Sequence, residues 1–485
     1  GAAGVRRVRL APHYAIYMHP GWSAPSESEL TRLRTELRAC HTAGIRPCVI
    51  FVHIPPYGEK GELQEWFTRK WNKGLLPAGP VGSEEYEVFL DMTYRALRFI
   101  LNEARDAGFT EPDSYDLELG QGMWWGAPSI NDPPPGTTLD DLEPGGRVFT
   151  FESQLIDRLR ADGYDEPAVW WGMTHHLFDR YDAENIHPDA VGRAISFYSQ
   201  GVTKTDAYLA GDERVEGALD TWPPAEPMQW THGKAPSMVL ARPEGWMADF
   251  SRHDNLVRLL ERTRKDVAIT SLGLVPRAIP DHEHLPIDGW TIKQRAVPRS
   301  LAFWLNQGAE FVLIHSAYEP RQKDAGEMHH SLIPSPIEPS EFNWRDAKPL
   351  TAIRRFCDGL AGAAPVANVE PLSFRLAVEP DPVLIPAVDG HGPLKASDAV
   401  ALLPYQVDAD RYAVAAYVLT PNVAEPMEPV TLTLEIDQPV TGDVRTLRPA
   451  DGETGAAEMV RRDGEKTTIR CELVDHVTWL RFTVD

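Results

Sequence analysis

Along the first two thirds of the chain, stretches with an apolar residue every third or fourth position alternate with short runs that are almost continuously apolar. Ser26 to Ala43 sets Leu30, Leu33 and Leu37 on one helical face, with Ser26 able to cap the helix and Glu29 completing a capping box. Gly44 closes it and RPCVIFVHIP follows, where Val49 to Val52 form the unbroken apolar run of a parallel strand covered on both faces. The same grammar repeats, with helical periodicity at 84–107, 149–161, 256–263 and 296–307. Strand-like segments fall at 7–18, 49–52, 114–119, 167–173, 192–198, 236–240, 266–273 and 309–316. About eight strands separated mostly by helices predict an α/β fold closed as a (β/α)8 TIM barrel over residues 1–362.

After a last helix at Pro349 to Leu360 the helical period disappears. SFRLAVE, YAVAAYVLT, VTLTLEI, TTIRCEL and TWLRFTV are short, alternating and bounded by turn residues. They predict a C-terminal antiparallel β-sandwich domain over residues 363–485, whose work is to pack against the barrel.

Composition narrows the function. The 485 residues are 42% hydrophobic and 25% charged, the profile of a soluble globular chain with one large and one smaller domain. A net charge of -23 repels nucleic acid and anionic membranes, so neither is expected as a partner. Cys40, Cys48, Cys357 and Cys471 lack metal-ligand spacing and read as isolated thiols. No run of eighteen apolar residues is present to span a membrane. A secretion signal is missing from the start, but a mature chain would have lost it, so cytoplasmic and secreted locations both stay open. With neither G-x-G-x-x-G nor G-x-x-x-x-G-K-[ST], no nucleotide cofactor is expected.

Barrel sites collect at the carboxyl ends of the strands. The stretch DSYDLELGQGMWWG places Glu118 near such an end, with Gln121, Trp124 and Trp125 just beyond. Other strand ends and loops offer His53, His175, Trp230, Ser271, His315 and Tyr318 as binding groups. Imidazole, indole and carboxylate together suit a neutral polyhydroxylated ligand, and a carbohydrate is the expected partner. Hydrolysis of a glycoside needs two carboxyl groups, one of them an acid for the leaving oxygen. Glu118 is one candidate, and Asp206, Glu283 and Glu319 are candidates for the other. His282 and His284 in DHEHLPIDGW could chelate a metal given a third ligand, yet no H-E-x-x-H is present and no metal is expected. Each of these residues also has a plain structural reading, as a buried polar group satisfied by its neighbours.

Several segments carry a resemblance. GIRPCVIFV, YDLELGQGMWWG, DVAITSLG, AFWLNQGAEFVLIHSAY and WRDAKPLTAIRRF resemble clan A glycoside hydrolases, most of all the family 39-like members that include β-xylosidases and iduronidases. The resemblance implies a (β/α)8 barrel with an attached β-sandwich, and retaining cleavage by two glutamates on strands four and seven. This sequence departs at both places. Gln121 stands at the position of an expected Asn, Gly122 at the acid and Ser271 at the nucleophile. Glycine cannot donate a proton, and a serine hydroxyl without a base is a poor nucleophile. The expectation is a glycoside hydrolase-like protein with a non-standard carboxylate arrangement around Glu118. The alternative is an inactive glycan-binding or structural barrel.

Overall fold

The computed structural model describes residues 5–10, 27–51, 80–119, 141, 145–174, 186–202, 266–277, 289–306, 308–315, 332–333, 343–363, 372–385, 393–418, 427–463 and 466–485. Strands β1 (Arg7–Leu10), β2 (Arg46–Ile50), β3 (Tyr115–Leu119), β4 (Pro167–Thr174), β5 (Ala190–Val202), β6 (Asp266–Arg277) and β7 (Ala309–His315) form one parallel sheet in sequence order. Its two edges approach each other. Arg7 of β1 lies 3.6 Å from Glu310 of β7, and its guanidinium sits 4.3 Å from the centre of the Phe311 ring. The sheet is therefore a mostly closed barrel.

The strand expected at 236–240 lies outside the described residues. β5 and β6 pair directly, from Gly192 opposite Asp266 to Val202 opposite Arg277. Both strands also run further than their apolar runs suggest, to Val202 and Arg277. The helix expected at 256–263 likewise lies outside the described residues.

Helices α1 (Glu27–Ala43), α2 (Glu84–Asp106), α3 (Arg147–Ala161), α4 (Gly289–Asn306) and α5 (Lys348–Gly359) cover the barrel. Periodicity explains α2 well. Phe89, Leu90, Leu97, Ile100 and Leu101 fall on one face and are at most 2% exposed, while Ser83 caps the helix by accepting from the Tyr86 amide at 3.3 Å. Each such side chain contributes about 1.5–3 kcal/mol by leaving water. They pack against Tyr115, Leu117 and Leu119, the outward positions of β3. Period-2 alternation then turns Asp116 and Glu118 into the barrel.

The sandwich is built from β8 (Phe374–Glu379), β9 (Val383–Ile385), β10 (Leu394–Lys395), β11 (Val400–Gln406), β12 (Arg411–Val418), β13 (Val430–Ile436), β14 (Val440–Leu447), β15 (Thr454–Ala456), β16 (Glu458–Asp463), β17 (Lys466–Leu473) and β18 (Thr478–Val484). One antiparallel sheet has the order β11-β12-β18-β14-β15 and the other β16-β17-β13-β8, with β9 and β10 as a separate pair. Alternation in β13 is complete: Val430, Leu432, Leu434 and Ile436 are buried between the sheets. The other face of the first sheet meets the barrel, so Ala401, Leu403, Tyr417 and Trp479 join the same apolar body as the barrel helices.

Trp479 centres this contact. It is fully buried, with its ring 5.0 Å from Phe356 of α5 and 5.4 Å from Tyr405 of β11. Gly359 makes room for it, since a Cβ there would lie 2.2 Å from the indole nitrogen. Polar contacts frame the apolar ones: Asn306 donates to the Pro404 carbonyl at 2.7 Å and Tyr405 to the Ala302 carbonyl. Among the described residues no helix is long and apolar enough to cross a membrane. Gly359→Ala should cost about 1–3 kcal/mol in urea unfolding, because its Cβ would meet the fully buried indole. A loss below about 0.5 kcal/mol would show that the packing yields.

Candidate active site

The barrel interior is layered. Its lower layer is electrostatic and is organised by Asp116, which has no solvent exposure. Arg46 donates to it through Nε at 2.9 Å and Nη2 at 2.6 Å, a bidentate pair. Trp170 of β4 donates its indole N–H to the same carboxylate at 3.0 Å. Arg7 reaches across β2 to within 3.2 Å, a path that only the interior provides. Cys48, Ile50, Ala194, Ala268, Phe311 and Leu313 fill the rest of the lumen with apolar bulk. Burial first, and then the charges of Glu118 and Asp116, push the Cys48 thiol well up, so it stays an inert thiol.

Two residues further along β3, Glu118 faces the same lumen in different company. Its neighbours in register are Ile50 and Trp170, and it too has no solvent exposure. Neither of its oxygens has a hydrogen-bond partner of good geometry. Desolvation raises its carboxyl to about 7, against the opposing pull of the Arg9 charge and of the neighbouring Thr270 hydroxyl. Asp116 has two guanidiniums and an indole beside it, whereas Glu118 has a fully buried threonine and the charge of Arg9. One strand thus holds a fixed anion and, one layer up, a group poised to give or take a proton near neutrality.

A second carboxyl accompanies it. Glu152 of α3 is 2% exposed and occupies a core-facing position beside Phe151 and Leu155. Its own desolvation, and then the charge of Glu118, push its carboxyl well above the usual range.

Of the residues singled out by sequence, Glu118, Ser271 and His315 fall on barrel strands. Ser271 lies on β6 at a break in register: Ile269 pairs with Val312 but Leu272 with Ile314, which leaves an extra residue at Thr270 and Ser271. Such bulges bend a strand and re-aim its side chains. His315 is the last residue of β7 and pairs with Gly273. Asp206, Glu283, Glu319, His53, Gln121, Gly122, Trp124, Trp125, His175, Trp230 and Tyr318 lie outside the described residues, as does the loop with His282 and His284. Among the described residues no three His, Cys, Asp or Glu side chains gather closely enough to hold a metal ion.

Arg9, Thr270 and Glu152 were not singled out by sequence, and each left a trace there. Arg9 alternates with the outward Val8 and Leu10, Thr270 precedes Ser271, and Glu152 interrupts an otherwise apolar helical stripe.

No protein-family model matches the chain, and no curated protein matches its sequence. Loose likenesses exist among solved structures. An α-amylase from Anoxybacillus aligns with a TM-score of 0.47 at 10% identity, covering 100% of this chain and 88% of its own. A family 5 xyloglucan-specific β-1,4-glucanase from a ruminal metagenomic library gives 0.42 at 10% identity, over 68% and 79% of the two chains. A modular endo-β-1,4-mannanase from Cellulomonas fimi gives 0.38 at 14%, over 99% and 84%. The reading of the site rests on the chain's own residues.

Two stability measurements check this electrostatic picture. Asp116→Asn strands two guanidiniums beside a buried amide and should cost about 3 kcal/mol or more. Glu118 behaves oppositely. Its folded carboxyl is raised, so the stability it contributes is complete below the usual glutamate range and is lost as pH rises through about 7. Wild type should lose about 3 kcal/mol relative to Glu118→Gln across that interval. Parallel curves for the two proteins would mean that Glu118 is solvated.

Proposed function

We propose that the barrel is a carbohydrate-active site of glycoside hydrolase type in which Glu118 is the general acid. The observation that carries this reading is the complete burial of Glu118 in the lumen with neither oxygen in a hydrogen bond of good geometry, which raises its carboxyl to about 7. Protonating a glycosidic oxygen requires such a group. Glu118 would give its proton to the leaving oxygen as the bond to the anomeric carbon breaks, and the aglycone would depart as an alcohol. A carboxylate from the rim, Asp206, Glu283 or Glu319, would then either attack the anomeric carbon or deprotonate the incoming water. Gln121, Trp124, Trp125, His53, His175, Trp230, Ser271, His315 and Tyr318 are proposed to hold the sugar.

The family 39-like resemblance implies glutamates on the fourth and seventh strands, whereas in this seven-stranded sheet Glu118 and Ser271 lie on the third and sixth, β3 and β6. Glu118 would replace the acid lost at Gly122, from four residues earlier in the sequence. The nucleophile position at Ser271 has no such neighbour among the described residues, so the second carboxylate is proposed to come from a loop. The alternative is a barrel that binds a glycan and leaves it intact. It is favoured by one observation, the complete enclosure of both Glu118 oxygens.

Leaving-group dependence separates the two readings. Glu118→Gln should lower kcat/KM on an alkyl glycoside about 10²–10⁴-fold, and far less on an aryl glycoside whose leaving group needs no proton. Equal turnover by wild type and variant on the alkyl glycoside would remove Glu118 from the chemistry. Saturable glycan binding by wild type without any hydrolysis would establish the binding reading.

A further inference from the structure

Away from the lumen, a histidine stands between two carboxylates where the sandwich meets the barrel. His476, in the turn before β18, is 8% exposed. Its Nδ1 is 3.0 Å from an oxygen of Asp475, and its Nε2 is 3.3 Å from an oxygen of Asp451 in the turn after β14. Asp475 is itself 2% exposed and faces the barrel. Arg295 of α4 approaches its carboxylate at 3.4 Å, and Arg299 of α4 donates to its carbonyl at 3.0 Å. On the other side of the cluster, Arg355 of α5 donates to the carbonyls of Pro449 and Ala450 at 3.4 and 3.3 Å, and Gln294 of α4 also donates to Ala450. Gly452 lets Arg355 in, since a Cβ there would lie 2.6 Å from the guanidinium carbon. Arg448 completes the charged surroundings by acting on Asp451.

We propose that His476, charged and donating from both ring nitrogens, is a pH-dependent clasp that fastens the turns after β14 and before β18 to helices α4 and α5. The geometry requires the imidazolium. A neutral ring has one N–H, so one of the two facing carboxylates would meet a nitrogen lone pair instead of a donor. Asp475 would then be left in a buried site with Arg295 alone to balance it. Burial by itself disfavours the charged ring, but the bonds to Asp451 and Asp475 and their charges outweigh it, and the His476 pKa is raised. Burial likewise works against the Asp451 anion, yet the hydrogen bonds from His476 and the Glu453 amide, with the His476 and Arg448 charges, together outweigh it and its pKa is lowered.

The signs define a window. A raised histidine contributes stability that is complete below the usual imidazole range and is lost as pH rises through its folded pKa. The lowered Asp451 contributes stability present above the usual aspartate range and lost as pH falls through its folded pKa. The clasp is tightest in mild acid and opens on the alkaline side. What it grips matters for the barrel, since α4 connects β6, with its bulge at Thr270 and Ser271, to β7.

The test uses the full chain. Amide hydrogen exchange over 289–306 and 449–452, corrected for intrinsic rates, should speed up several-fold in wild type between about pH 6 and about pH 9. His476→Gln should show the faster exchange already at the lower pH, with little further change. The same rise in both proteins would overturn the proposal. A titration of the His476 ring by NMR, assigned by its disappearance in that variant, gives a check that does not depend on the variant's stability. A pKa above the usual histidine value supports the clasp, and one at or below it overturns it.

Discussion

Asp116 carries a negative charge into a place without water, and the closure of the barrel depends on how that charge is held. A desolvated carboxylate is tolerable only when paired and hydrogen-bonded. Three strands supply what it needs: Arg7 from β1, Arg46 from β2 and Trp170 from β4 converge on a residue of β3. Arg7 also leans over Phe311 of β7 and approaches Glu310, so the cation that neutralises Asp116 joins the two edges of the sheet. The apolar residues of the lumen add bulk, but they could pack in several registers. The ion network fixes which residues stand opposite one another.

The contrast with Glu118 follows from that arrangement. Cations crowd the lower layer and thin out above it, so the second acidic residue of β3 enters equal burial with far less compensation. The same low dielectric that strengthens the Asp116 pairs raises Glu118 towards neutrality. Glu152 responds from the helix side, where its own burial and then the charge of Glu118 push its carboxyl up. Structural anion and proton carrier are thus two products of one charge gradient along a five-residue strand.

Much of the fold was legible because burial on both faces of a parallel strand leaves an apolar run, as in Cys48 to Ile50 of β2. Sandwich strands such as β13 were legible for the complementary reason, a strict alternation of two environments. PSMVL at 236–240 satisfies a strand pattern but lies outside the described residues, and β5 pairs directly with β6. Glu118 stood out through its alternation with Tyr115, Leu117 and Leu119, but its partners did not. Arg7 and Arg9 occupy a strand of only four residues, too short to display its parity until its neighbours are known. The interface was invisible for a different reason. Arg295 and Asp475 are 180 positions apart, and no local pattern encodes their meeting.

The central claim is that Glu118 keeps its proton near neutrality because the barrel encloses it. Carbon-13 NMR of protein labelled at the glutamate side-chain carboxyls, with Glu118 assigned by its loss in Glu118→Gln, measures this directly. A midpoint at about 7 is the result this account requires. A midpoint in the usual range for an exposed glutamate, about 4, would contradict it and leave β3 with two ordinary anions and no acid.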